Sequence, residues 1–227
     1  MRWGVAASVI GLVGYDVLIR PAQLDWGATA SERMIRLPGD DIVGDVMSHH
    51  TKALTINAAP AQIWPWLVQI GDHRAGFYSY DWVERWVFAG TVHYLEGRHS
   101  ATRIHPELQD LRVGDRIDTG SIGSVRIGSA VTVLEPQRAL VIGTWAFVLV
   151  PMSDNRTRLL VRERDAGWLR SLAPRGSGLL RAFGAVIDYT VGEPLHFAMV
   201  RKMMLGIKQR AESTAAQVPG VPREEDK

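Results

Sequence analysis

The stretch "SAVTVLEPQRALVIGTWAFVLVPMSDNRTRLLVRERD", Ser129–Asp165, decides the fold. Its apolar and polar residues alternate with a period of two in "SAVTVLEPQ", "RALVIG", "TWAFVLVPM" and "TRLLVRERD", the pattern of successive short strands. Gly143-Thr144 puts glycine first in a two-residue connection, which is the type II′ hairpin requirement. "SDNR" supplies the next turn. No helical segment separates these runs, so the strands are expected to form an antiparallel meander. "DRIDTG", Asp115–Gly120, adds a strand at its start.

Upstream, Thr51–Asn57 alternates like a strand. Pro60 then opens a helix at a tolerated first-turn position, and Pro65 keeps that helix short, ending near Gly71. A second helix is predicted from Tyr78 to Phe88, with Tyr78, Trp82 and Trp86 four apart on one face. Asp81 and Arg85 have the spacing to pair on another face. Downstream, Leu179–Glu212 reads as helix, bent near Gly192 and Pro194. His196, Met199, Val200, Met203 and Ile207 share one side of it, and Arg201, Lys208 and Glu212 the other.

Composition narrows the options. Hydrophobic residues make up 46% of the 227 and charged residues 22%, which is globular rather than disordered. A net charge of +2 and the lack of a long basic block give no nucleic-acid footprint. With no cysteine, disulfides, thiolate metal sites and cysteine nucleophiles are excluded. Trp3–Ile19 is apolar except for Ser8 and Asp16 and is flanked by Arg2 and Arg20. Seventeen helical residues reach ~26 Å, just short of a ~30 Å hydrocarbon core, and flanking arginines can snorkel. Residues 1–22 are therefore expected to be an uncleaved single-pass anchor, with a cytoplasmic location as the alternative. Ala28-Thr29-Ala30 mimics a signal-peptidase site but lies too far from the apolar run. Residues 23–48 read as a connector, 49–213 as the folded domain and 214–227 as a disordered tail.

The order is one strand, two short helices, an antiparallel run and a long terminal helix. It resembles the START-like (SRPBCC, birch-pollen-allergen-like) superfamily, and within it bacterial polyketide cyclase/dehydrase-like proteins. The resemblance is carried by "INAAPAQIWPWLVQIG", "GFYSYDW", "RIHPELQDLRVGD", "LEPQRALV", "TWAFVLVP", "TRLLVRER" and "EPLHFAMVRKMMLGIKQRAE". It implies an α+β helix-grip fold, a curved sheet wrapped around the terminal helix, with a hydrophobic cavity between them. It does not imply one reaction, since the family includes carriers, cyclases and sensors.

On that frame, Phe77, Tyr78, Trp82 and Trp86 would form core or pocket rim, within a stretch (Ile63–Trp86) holding four of the eight tryptophans. Trp145 and Phe147 alternate onto one strand face. Met199 and Met203 suit either an adaptable cavity or a gap-filled core. Arg162 and Arg164 share one strand face and, if inward, could bind an anionic headgroup; Glu163 points the other way and then needs a partner. Arg74, Tyr80, His105 and Glu107 fall near the expected cavity mouth, and a structural loop role is the plainer reading for each. His196 on the inner face is more simply a hydrogen-bonded core histidine than a catalyst. No metal ligands or cofactor are assigned. His49-His50 would point apart on a strand, "HPEL" is not a zinc motif, "TGSIGS" is a turn rather than a phosphate loop, and no G-x-S-x-G occurs.

The expected function is a membrane-anchored binding protein for a lipid or other hydrophobic small molecule. Its ligand contacts are expected from Phe77, Tyr78, Tyr80, Trp82, Arg74, Trp145, Phe147, Arg162, Arg164, His196, Met199 and Met203. The alternative is a cyclase/aromatase- or dehydratase-like enzyme with His105, Glu107, Tyr80 and His196 as acid/base candidates.

Overall fold

The structure, a computed structural model, describes residues 14–42, 49–88, 90–164 and 178–216. Six strands form one antiparallel sheet: β1 (His49–Ile56), β2 (Arg116–Ile122), β3 (Val125–Glu135), β4 (Ala139–Ile142), β5 (Trp145–Pro151) and β6 (Thr157–Arg164), in the order β1-β6-β5-β4-β3-β2. After β1 come two short helices, α3 (Pro60–Val68) and α4 (Asp81–Val87), as expected. Two further short helices, α1 (Arg20–Leu24) and α2 (Ala30–Met34), precede the sheet. Helix α5 (Gly178–Ile187) passes through a π-helical turn, Asp188–Gly192, into the long α6 (Glu193–Ala216). The π turn falls where Gly192 and Pro194 suggested a bend. Helix α6 carries three residues into the expected tail, and 217–227 lie outside the described residues.

Turn chemistry sets the meander. Gly143 has φ +56° and Thr144 is not left-handed, which fits the type II′ hairpin joining β4 to β5. A side chain at Gly143 would also meet Ser129 at 2.5 Å. Asp154 and Asn155 are both left-handed, at φ 60° and 54°, and close the β5–β6 hairpin; these two residue types tolerate that region best after glycine. "TGSIGS" is mostly strand β2, with only Gly123-Ser124 in the turn.

Alternation then divides the side chains. On one face Leu54, Ile56, Leu140, Phe147, Leu149, Leu159 and Val161 join Ile63, Leu67, Met203, Met204 and Ile207 in the main core. The C-terminal half of α6 lies flush on this face: Met203, Met204, Ile207 and Ala211 are at most 2% exposed. A Cβ at Gly206 would sit 2.3 Å from the Tyr78 carbonyl, so this helix approaches to backbone contact.

On the outer face Ala53, Ala139, Val148 and Leu160 pack with Leu37 of the connector in a second core. Three arginines of β6 clamp that connector. Arg162 is 1% exposed and donates to the carbonyls of Glu32, Arg33 and Ile35, to Thr51 Oγ1 and to Asp40. Arg164 bonds Asp40 and the Pro38 carbonyl, and Arg158 bonds Glu32 and the Gly27 carbonyl. The connector also covers the β1 edge, with Thr51 and Ala53 amides donating to Asp25 and the Trp26 carbonyl; a free strand edge is otherwise a site for unwanted pairing. Thr29, which sat in the signal-peptidase-like triplet, caps α2 through a reciprocal box with Glu32.

Of the anchor expected over residues 1–22, positions 1–13 lie outside the described residues. Among the described residues no helix is long and apolar enough to cross a membrane. Tyr15–Ile19 is a π-helical turn that runs into α1.

Candidate functional site

The sequence-derived candidates do not converge on one place. Arg74 donates to the carbonyls of Val68, Ile70 and Leu108, so it closes the end of α3. Helix α4 begins only at Asp81, which puts Tyr78 outside it, at φ 58°. Tyr78 is buried, donates to the Trp66 carbonyl and accepts from Gln69. Burial raises its hydroxyl pKa above the ordinary value. Trp82 and Trp86 are 66% and 75% exposed. The shared aromatic face over Tyr78, Trp82 and Trp86 is therefore not formed, because the periodicity holds only where the helix continues. Asp81 accepts from Ser100, and Arg85 donates to the Arg98 carbonyl instead of pairing with it.

Phe77, Phe147 and Met203 are core residues. Arg162 and Arg164 turn to the outer face and are committed to the connector, as described above. Tyr80 lies beside Lys202, whose ammonium is 6.0 Å from its ring centroid. His105 and Glu107 do meet, at 3.1 Å, and the other ring nitrogen of His105 faces Glu96 at 3.0 Å. Glu96 also takes Arg103 and the Thr102 amide, so this cluster ties one loop to itself.

The best-built polar cluster lies elsewhere, on the helix-facing side of the sheet. Lys52 alternates with Leu54 and Ile56 on β1, and Glu163 alternates with Val161 and Leu159 on β6, so both point inward. Lys52 Nζ donates to Glu163 Oε2 at 2.6 Å. The second carboxylate oxygen, Oε1, is 3.0 Å from His196 Nε2 on the first turn of α6. Burial by itself would raise the Glu163 pKa, but the facing His196 and Lys52 charges override it and bring it down to about 2. Trp145, the cross-strand neighbour of Glu163, meets the His196 ring at 5.8 Å and Phe147 at 6.0 Å. Lys52 is 1% exposed, whereas the His196 side chain is 45% exposed. The result is a buried ion pair that presents one accessible imidazole beside an indole.

This cluster adjoins an apolar end of the molecule. One turn before His196, Arg20 grips Glu193 in a two-pronged pair at 2.7 and 2.9 Å. Tyr15 packs edge-on to Tyr189 at 5.6 Å. A hydrogen bond from Tyr189 to Asp16 is the main cause that raises its pKa, to about 12. These contacts join the segment before α1 to the π turn before α6. Large exposed apolar side chains flank this junction: Val17, Leu18 and Ile19 before α1, Leu179, Leu180, Phe183 and Val186 on α5, and Val191 on the π turn. A separate groove of about 400 Å³ lies on the outer face, between Leu37 and Pro38 of the connector and β5.

Lys52 and its role as Glu163's partner were missed, although the alternation of Lys52 with Leu54 and Ile56 was the available signal. Fold and site together define an α+β domain whose terminal helix packs on a six-stranded antiparallel sheet, with a charged cluster under that helix's first turn. No family model matches the chain, and no curated protein matches it. Solved structures similar to it include the following two. Protein MLL2253 from Mesorhizobium loti is 15% identical over 74% of this chain and 98% of its own, with a TM-score of 0.37. The conserved protein of unknown function EF2215 from Enterococcus faecalis is 14% identical over 78% of this chain and 77% of its own, with a TM-score of 0.31.

Proposed function

We propose that this chain is a membrane-associated binding protein of the helix-grip type, holding a lipid or other hydrophobic small molecule. The observation that carries the reading is the apolar end: Leu180, Phe183 and Val186 on α5 and Leu18 beside α1 are each more than half exposed. The turn carrying Leu18 is held to the π turn that continues α5, by Tyr15 on Tyr189 and by Arg20 on Glu193, and Glu193 is one helical turn before His196. Exposed apolar clusters of this kind mark lipid or partner surfaces. The C-terminal half of α6 is packed shut, so the ligand sits under its N-terminal half. There Trp145 and Met199 supply apolar area, and His196 orients a polar head against Glu163.

Purified full-length protein is expected to release a bound lipid or apolar metabolite on denaturation and to float with liposomes. Leu180→Glu with Phe183→Glu should abolish flotation while leaving the thermal transition in place. Protein that carries no extractable small molecule and does not float would refute the reading.

A second reading rests on the same His196. A half-exposed imidazole held by a buried carboxylate is an arrangement suited to general acid–base chemistry, as the cyclase- or dehydratase-like alternative needs. His196→Gln separates the two: a binder keeps most of its ligand, whereas an enzyme loses turnover by ~10²-fold or more.

A further inference from the structure

We propose that Asp72, His73 and His93 form a binding site for a divalent first-row transition ion of the zinc type. One ligand atom from each lies within 4.8 Å of the other two. The carboxylate is buried and both imidazoles are exposed, so an ion entering from solvent is anchored from within. The site lies beside β2, where the Asp72 amide donates to the Asp118 carbonyl at 2.8 Å. That is the opposite sheet edge from β1, so the proposal does not rest on the Glu163 cluster. Asp72 Oδ1 accepts the main-chain amides of His73, at 3.0 Å, and His93, at 2.7 Å. One carboxylate oxygen thus holds the two histidine-bearing segments together, and their rings stack at 5.4 Å.

The other oxygen points to a cation. Asp72 Oδ2 is fully buried and has no hydrogen-bond partner among the described residues. It faces His73 Nε2 at 3.7 Å, beyond hydrogen-bond reach. A buried carboxylate oxygen left without a donor is unfavourable, and a metal ion in front of it supplies the missing charge. His93 is prepared for the same role. Its Nδ1 lies 2.8 Å from the Thr91 carbonyl. A carbonyl can only accept, so Nδ1 carries the proton and Nε2 presents its lone pair outward, the arrangement that orients a ligating histidine.

Two imidazole nitrogens and one carboxylate suit zinc and its neighbours, while calcium and magnesium favour all-oxygen sets. Bonds of ~2.0–2.1 Å in a tetrahedron place ligand atoms ~3.3 Å apart, so the exposed rings must close the remaining gap by rotating about their side-chain bonds. Three protein ligands leave the fourth position to water. No short metal motif marks these ligands, because His93 comes 21 positions after Asp72.

Isothermal titration of the tag-free full chain with zinc chloride tests the site, and cobalt absorption reports the coordination number. Expected are one ion per chain and a four-coordinate cobalt spectrum. His73→Gln, His93→Gln and Asp72→Asn should each weaken binding by ~10–100-fold or more. The exposed His99, which has its own acidic neighbour in Asp81 at 3.4 Å, is the control; His99→Gln should bind as wild type. The two exposed histidines can be changed without disturbing packing, so the test survives if Asp72→Asn fails to fold. Binding no tighter than ~100 µM, or equal binding by His73→Gln and His93→Gln, would overturn the proposal.

Discussion

Replacing Arg162 by methionine isolates what its guanidinium contributes, because methionine keeps most of the buried stem. The arginine makes five hydrogen bonds, three of them to connector carbonyls at 2.8–3.1 Å. Asp40 would keep Arg164 and the Leu37 amide, so the carboxylate is not orphaned. Burial raises the Asp40 pKa, yet that amide and the two arginines hold it below the ordinary carboxylate value. Each lost charge-assisted bond is worth ~1.5–3 kcal/mol. The connector can rehydrate as it peels off, so the total is capped near the ~3–5 kcal/mol of a broken buried ion pair. At ~2–4 °C per kcal/mol, the thermal midpoint should fall by about 10 °C. Tryptophan-monitored urea and thermal unfolding measure this, and limited trypsin digestion should cut newly at Arg33 and Arg36. Arg126→Met removes an ion pair with Asp118 whose arginine is 67% exposed, and should cost no more than ~0.5 kcal/mol. If Arg162→Met stays within ~1 kcal/mol of wild type with its connector still protected, the outer-face clamp is not what holds that layer.

Three further outcomes follow from single contacts. Burial first, then Asp81, raises the Glu84 pKa to about 8. The folded state therefore binds a proton that the unfolded chain releases near pH ~4.5, and stability should fall by up to ~5 kcal/mol between that pH and ~8. Glu84→Gln, which still accepts from Tyr94, should flatten the decline in urea midpoints; an unchanged slope would place the titration elsewhere. Glu163 has the opposite sign, since its pKa is lowered to about 2. Its contribution is complete above pH ~4.5 and is lost toward ~2, while Glu163→Gln costs ~3–5 kcal/mol at neutral pH by stranding Lys52; adding Lys52→Met should recover more than half, read by equilibrium unfolding. Gly206→Ala in α6 would gain ~1 kcal/mol if helix propensity governed. Its Cβ would stand 2.3 Å from a main-chain oxygen, so a loss of at least ~2 kcal/mol is expected in thermal melts, and a gain would refute the close approach.

The meander was legible because hairpin chemistry is local. Gly143-Thr144 and Asp154-Asn155 specify their turns with no help from distant residues. The buried side of α6 was equally readable, since Val200, Met203 and Ile207 keep helical spacing. The aromatic face failed for a local reason: Tyr78 precedes α4, so counting by fours from it meant nothing. The outer layer was illegible because the partners of Arg162 and Arg164 lie about 120–130 residues away, in a connector without periodicity. Alternation could pair Arg162 with Arg164 on one face, but it could not say which face was covered. The Asp72 and His93 juxtaposition arises from loop closure alone, which leaves no periodic trace.

The neighbouring of β1 and β6 has a consequence during synthesis. Among the described residues, the earliest strand of the sheet pairs with the last one alone, as in the Lys52–Glu163 bond across 111 positions. At ~5–20 residues per second, the nascent β1 waits roughly 5–20 s on the ribosome before that partner is made. Through that interval the apolar side of "ALTI" depends on whatever shelters it, so the growing polypeptide is expected to be a client of early-acting chaperones, with folding completed only after β6 has emerged.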